Sequence, residues 1–264
     1  MSYTRLMSEI LSEDLQDIAI GAGELVLENG GETYRAEDTV VHVATALGAK
    51  EASAFVTPTV VMFSYVDENG KHHSYLRRIF KRGTNLSRLS QINKLSRRLV
   101  LRGKTSNPKM VKEQLRRINS SPVYPDPLIV FMAALSSALF TLMFDGSWLD
   151  AFWSFIIGGI LRIILIPLGK TSLGQNSFMV SLLSGAILSV LTDFICLTPM
   201  SVNANLILVG AIMQCVPGLA LVNGIRDIIS GDLVSGGARL LDAFMIAAGL
   251  SIGSATGVIL MKLF

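Results

Sequence analysis

Residues 11–28 place Leu11, Leu15, Ile18, Ala22, Leu25 and Val26 at helical intervals, and Asn29-Gly30-Gly31 then ends the pattern, which predicts a helix with a glycine stop. A second helical pattern runs from about Arg35 to Leu47, with Val40, Val43, Ala44 and Leu47 on one side and Gly48 as its stop. Residues 53–66 are β-branched and aromatic, residues 67–70 supply a turn, and an extended pattern resumes at residues 72–80, so this stretch reads as a β-hairpin. Pro58 argues for an edge strand, a bulge or a strand that begins after it. Residues 85–102 and 108–118 read as two basic helices separated by residues 103–107.

After Pro122, Pro125 and Pro127 the pattern changes to long apolar runs at residues 128–144, 148–168, 177–197, 203–222 and 240–261. About twenty residues cross a bilayer, so these are five expected spans. The expected organisation is a membrane protein: a small cytoplasmic α+β domain at residues 1–120, a Pro-rich linker at 121–127, and an α-helical bundle of five transmembrane helices at 128–264.

Charge sharpens this division. Residues 1–70 hold twelve acids and three basic side chains, whereas residues 77–117 hold fourteen Lys or Arg against one acid, Glu113. The 137 residues from 128 to 264 hold only five basic and six acidic side chains. The basic stretch carries no nucleic-acid motif or aromatic platform and lies just before the first span, which is where a polybasic segment meets anionic lipid and fixes orientation. With that segment inside, the loop at 145–150 falls outside without a basic residue, and Lys170, Arg226 and Arg239 fall inside. No basic n-region with an apolar core opens the chain, so residues 1–120 are expected on the cytoplasmic side of a multi-pass protein of the cell (inner) membrane. Cys196 and Cys215 lie in expected spans and read as packing residues.

The candidate chemistry sits in three places. The first is the motif GGETYRAED at residues 30–38. It reads either as helix punctuation, with the glycines closing one helix and Thr33 capping the next while Glu37 and Asp38 complement its dipole, or as a small polar site built on Glu32, Thr33, Arg35 and Glu37. The second is the pair of charges inside expected spans, Arg162 and Asp193, each costing roughly 2.5 kcal/mol or more to insert and therefore aimed at protein or a cavity, or else snorkelling to a membrane surface. The third is the stretch around Pro217-Gly218. A break in hydrocarbon persists only where protein or a water-filled cavity covers it, and Gln214, Asn223, Arg226, Asp227 and Asp232 gather around this one. Such a break exposes backbone groups that hold a carboxylate, and a nearby aspartate carries a proton; alternatively Arg226 and Asp227 merely neutralise each other. Gly249, Gly253 and Gly257 repeat every four residues and make a face for close helix packing, within the chain or on a partner.

No Ser-His-Asp or Cys-His set accompanies the paired carboxylates, and His72 and His73 point to opposite faces of a strand, so neither a catalytic set nor a metal site is expected, and no cofactor.

Residues 216–253, together with GGETYRAED and the hairpin-then-basic segment 55–102, closely resemble the threonine/serine exporter family, in matching order over nearly the whole chain. Within that family the chain is similar to the YjjP-type subunit, a cytoplasmic domain with about five spans. The resemblance implies export of threonine and serine, or of succinate, driven by the proton gradient. It also implies a smaller second membrane subunit of the YjjB type, or a homo-oligomer, to complete the path, in a lipid bilayer and without nucleic acid. Arg226 or Arg162 would attract the substrate carboxylate, Asp193 and Asp227 would carry protons or bind an ammonium group, and the soluble domain would gate cytoplasmic entry with Glu32 and Arg35 as contacts. The hydrolase-like activity described for the family's soluble domain finds no catalytic residues here, so the chain is not expected to be an enzyme. Two other classes stay open at this point: a membrane-anchored ligand-binding or regulatory module, and a membrane-bound hydrolase.

Overall fold

The computed structural model describes residues 3–67, 69–80, 83–102, 107–121, 124–197 and 202–263, with side chains from residue 14 onward except that of Arg102. Residues 103–106 of the spacer between the basic helices, and Pro122 of the expected linker, lie outside the described residues. The chain forms two compact units: residues 1–122 with 221–240, and residues 123–220 with 241–264.

The first unit contains α1 (Tyr3–Glu28), α2 (Thr33–Ala46), a three-stranded antiparallel sheet of β1 (Lys50–Thr57), β2 (Val60–Val66) and β3 (His72–Arg78) in that order, α3 (Leu86–Arg102) and α4 (Pro108–Asn119). Gly30 at φ +86° ends α1 with hydrogen bonds from Gly30 N to Leu27 O and from Gly31 N to Val26 O. Gly48 at φ +103° ends α2, a backbone conformation that L side chains rarely adopt. Ile18, Ala22 and Val26 of α1 and Val40 and Val43 of α2 bury their faces with Val61, Phe63 and Tyr65, the alternate inward positions of β2, and with Ile92 and Leu99 of α3. The expected single strand over 53–66 is corrected: Thr57 pairs with Val60, so the run folds back at Pro58-Thr59 into two strands. Proline has no N–H to give a ladder and its fixed φ suits a turn, so it divides the β-rich stretch, and β2 begins after it at Val60, one of the alternatives expected for Pro58.

The second unit contains α5 (Asp126–Met143), α6 (Trp148–Leu168), α7 (Ser177–Cys196) and α8 (Ala204–Ile212) followed by a 3-10 turn at Met213–Cys215. The chain breaks at Val216-Pro217 and continues as α9 (Gly218–Ile229) and α10 (Leu233–Leu263). Residues 221–240 of these last two helices belong to the first unit and the remainder of α10 to the second. By length and composition α5, α6, α7 and α10 are each able to cross a membrane, and α8 with its turn and α9 count as a fifth candidate if taken together across the break. The protein is thus mostly helical, with four to five candidate spans and a small sheet.

Two expected boundaries change. The last helix begins at Leu233 and not near residue 240, and the expected fourth span is two helices, not one. The stretch between the fourth and fifth expected spans is a helical hairpin: Gly231 at φ +90° makes the turn, Asp232 caps α10 by accepting from Ser235 N at 3.2 Å, and Gly236 lies against Gly224 and Ile228 of α9 where a Cβ would strike backbone. Glycine here permits close helix approach, which sequence alone does not distinguish from a flexible connection.

In the second unit, Gly249, Gly253 and Gly257 lie against the carbonyls of Phe178, Leu182 and Ala186 on α7, and Gly185 of α7 returns the contact to Leu250. The tandem spacing therefore serves packing within this chain. Asp150 anchors one end of the unit: it completes a capping box with Ser147 and accepts from Asn203 N at 2.8 Å, joining the starts of α6 and α8. Thr141 and Thr192, buried on apolar helices, satisfy their hydroxyls locally, donating to Ser137 O at 3.0 Å and to Leu188 O at 2.8 Å.

Candidate functional sites

The first unit brings together eight of the residues singled out above. Glu32 is the β-region residue that starts α2, and its side chain is 5% exposed. Its two carboxylate oxygens accept from different arginines: Oε2 from Arg35 Nη1 at 2.9 Å and Oε1 from Arg226 Nη1 at 2.8 Å. Arg226 itself is 58% exposed, so a fixed buried anion holds a cation that is otherwise free to move. Burial alone would raise the Glu32 carboxyl, but hydrogen bonds from its own backbone amide, Arg35 and Arg226 hold it below the usual range.

The same hairpin closes over the end of α1. Asn223 Nδ2 donates to Gly30 O at 3.0 Å and Arg239 Nη2 to Gly31 O at 2.8 Å, which places donors and a positive charge at a helix C-terminus, where carbonyls lack partners. Arg239 also brings Nε to 3.0 Å from Asp227 Oδ2, and the Asp227 side chain is fully buried. The angles at this contact are not those of a hydrogen bond, and among the described residues neither Asp227 oxygen has a donor, so the pair is held by charge.

Thr33 is the first residue within α2 and does not cap it. The Thr33 hydroxyl instead donates to Asp232 Oδ2 at 3.0 Å, which corrects the capping expectation. Glu37 lies beyond the first turn of α2, which holds no acidic residue; its Oε1 accepts from Val56 N at 2.9 Å while Ser235 donates to Val56 O at 3.2 Å. Side chains from α2 and α10 thus occupy the outer hydrogen-bonding groups of β1, an edge strand that would otherwise leave them open. Burial, with the charges of Asp232, Asp38 and Asp227, pushes the Glu37 carboxyl up against the opposing effect of the Val56 amide.

The second unit holds a different arrangement. A cavity of about 270 Å³ is lined by Arg162 of α6, Ser177, Ser181 and Ser184 of α7, and Gln214 and Cys215 of the turn before the break, among others. Gln214 Nε2 donates to Ser137 Oγ at 3.1 Å and Gly158 O at 3.3 Å, which ties the turn to α5 and α6. Gly158 lacks the Cβ that would collide with Ser137 there. Arg162 Nε is buried without a hydrogen-bond partner. Asp193, near the end of α7, is not among the residues that line this cavity.

Composition and spacing single out neither Arg239, which reads only as a charge on the inside, nor Asp150, nor the serines of α7. Cys215, read as packing, lies on the cavity. A charge beside small residues on one helix face is the signal that could have marked Arg239, because small residues let a buried partner approach.

The family model described as "Putative threonine/serine exporter" matches residues 17–261. A protein of Klebsiella aerogenes named "Probable succinate transporter subunit YjjP" is 22% identical over 89% of the chain and 88% of its own length. The "Threonine/serine exporter" of Corynebacterium glutamicum is 22% identical over 94% of the chain, which spans 52% of that protein. An uncharacterised Schizosaccharomyces pombe protein is 30% identical over 66% of the chain, which spans only 21% of it. No solved structure matches.

Proposed function

The chain belongs to the threonine/serine exporter family, and we propose from this that it is the subunit of a secondary exporter that moves a small carboxylate-bearing metabolite out of the cell. Relatives of nearly the same length are named as transporter subunits, and the exporter of Corynebacterium glutamicum is about twice as long. A second membrane subunit, smaller than this chain, or further copies of the chain, supply the missing part of the path. Residues 1–120 lie on the cytoplasmic side of the cell membrane, where the basic helices meet anionic lipid, and five helices span the bilayer.

The observation that carries this reading is the hold of buried Glu32 on Arg226. Arg226 stands nine residues beyond Pro217, on the helix that follows the break, and its exposed guanidinium exchanges the Glu32 carboxylate for that of an arriving substrate. Release of Glu32 loosens α2 from the α9–α10 hairpin, and α10 carries the change along its length as one continuous helix. Asp227 is the proton carrier in this scheme, since among the described residues its oxygens have no hydrogen-bond donor and Arg239 is its counter-charge.

Reconstitution of the full chain with and without its smaller partner, followed by efflux of labelled threonine, serine and succinate under an imposed pH gradient, tests the proposal. Flux of at least one substrate is expected, reduced by Arg226→Gln. Absence of flux from the complete assembly sinks the transport reading. Unchanged proton-driven export by Asp227→Asn removes Asp227 from the proton path.

A further inference from the structure

The cavity beside the break is lined by a cation, Arg162. Among the described residues no carboxylate lies within ion-pairing distance of Arg162, and its Nε is buried without an acceptor. Arginine stays protonated in proteins, so the charge cannot be shed. A permanent cation inside an apolar helix, facing a cavity, is complementary to an anion that comes and goes.

The wall that α7 forms has complementary chemistry of another kind. Ser181 donates its hydroxyl proton to Ser177 O at 2.7 Å and Ser184 donates to Val180 O at 2.7 Å. Their protons are committed to their own helix, while the Ser181 oxygen keeps lone pairs free to accept and the Ser184 oxygen, which is also hydrogen-bonded to the Cys215 thiol, keeps one. One wall therefore offers a guanidinium and the other offers acceptors. At about 270 Å³ the space falls just below the roughly 300–1,000 Å³ of ordinary ligand sites, which limits the occupant to a small metabolite.

We infer that this cavity, between α6, α7 and the turn before Pro217, is a binding site for a small zwitterionic amino acid, with Arg162 taking the carboxylate and the Ser181 and Ser184 oxygens accepting from the ammonium group. A dicarboxylate fits poorly, because its second carboxylate would face serine lone pairs with no cation to meet it. The inference rests on the transport reading for its biological use, but binding is measurable without flux.

The test is the affinity of the purified full chain for L-threonine, L-serine and succinate by calorimetry and competition with labelled L-threonine. L-threonine and L-serine bind and compete with each other, and succinate competes at least about tenfold more weakly. Arg162→Gln weakens L-threonine binding about tenfold or more, the loss expected for a charge-assisted hydrogen bond. The Ser181→Ala/Ser184→Ala double variant weakens it by about threefold or more and leaves succinate competition unchanged. If Arg162→Gln does not fold, the serine variant decides. The site is overturned by undiminished L-threonine affinity in either folded variant, by equal competition from succinate, or by no binding of the amino acids. Loss of flux with intact, Arg162-dependent binding overturns the transport reading alone.

Discussion

The two units treat buried charge in opposite ways. In the first, Glu32 is shared by two arginines and Asp227 faces Arg239, so each cation of the network has a carboxylate at 2.8–3.0 Å. In the second, Arg162 lines a cavity with no carboxylate beside it among the described residues. A closed set of ion pairs fixes a geometry, because breaking one member strands another. An unmatched cation fixes nothing by itself and is complementary to what arrives from outside. In the proposed scheme the first unit holds and switches, with Arg226 meeting the arriving carboxylate, and the cavity of the second unit binds the amino acid.

The strongest way to break the contrast is to strand a charge in the first unit. Arg239→Leu leaves Asp227 fully buried without its counter-charge, and a loss of roughly 3–5 kcal/mol is expected from thermal or denaturant unfolding of the full chain. Adding Asp227→Asn should recover part of that loss, since the buried anion goes with its partner. A double variant as unstable as the single one would mean that Arg239 acts mainly through Gly31 O, to which it also donates.

Next in size is a change that touches no charge. Gly253→Val drives a branched side chain into the Leu182 backbone on α7, and an overpacking cost of about 1–3 kcal/mol is expected, with the glycine contact between α7 and α10 opened. Cross-linking of cysteine pairs placed along the two helices measures the separation. Unaltered cross-linking would show that the glycine face is not the close contact.

Most of the elements are legible in the sequence, and the contacts between them are not. Apolar periodicity and glycine stops mark α1 and α2, and the apolar runs mark α5, α6 and α7, because each of these signals is local. The network joins Glu32 to Arg226 across 194 residues, and no spacing rule reaches that far. GGETYRAED and the segment after Pro217 were each visible as unusual, yet their union depends on α9 and α10 folding back as a hairpin. That hairpin was obscured because Gly231, Gly236 and Gly237 resemble a loop whether they bend the chain or let helices touch. The serine wall was hidden for a different reason: a serine in an apolar helix looks the same whether it fills space or faces a cavity.

A smaller perturbation separates holding from switching. Glu32→Gln keeps an acceptor for one arginine but loses the charge that holds both, and a cost of about 1–2 kcal/mol is expected after allowance for the exposure of Arg226. If Glu32 only holds α2, substrate affinity should not move. If it also restrains Arg226, apparent affinity for a transported carboxylate should rise as stability falls. Paired measurements of unfolding and efflux on one preparation distinguish these outcomes.

The smallest expected effect has the opposite sign. Glu37 is raised by burial and by the nearby negative charges of Asp232, Asp38 and Asp227, so its neutral form is favoured in the folded chain. A carboxyl raised on folding contributes stability that is present in full below its unfolded pKa and is lost as pH rises through its folded value. Glu37→Gln preserves an oxygen to accept from Val56 N and removes the charge, so it should stabilise the protein near neutral pH by about 1 kcal/mol or less, which is roughly 2–4 °C at most. The gain should vanish near about pH 4, where glutamate is largely protonated in both states. Glu32 is lowered, and its contribution falls as the solution is acidified, but it is common to both proteins and cancels in the difference. Melting curves of the two proteins across that pH range report only Glu37. A difference that does not change with pH, or a variant less stable at neutrality, would show that Glu37 acts on β1 as a charged acceptor and that its acidic neighbours do not oppose it.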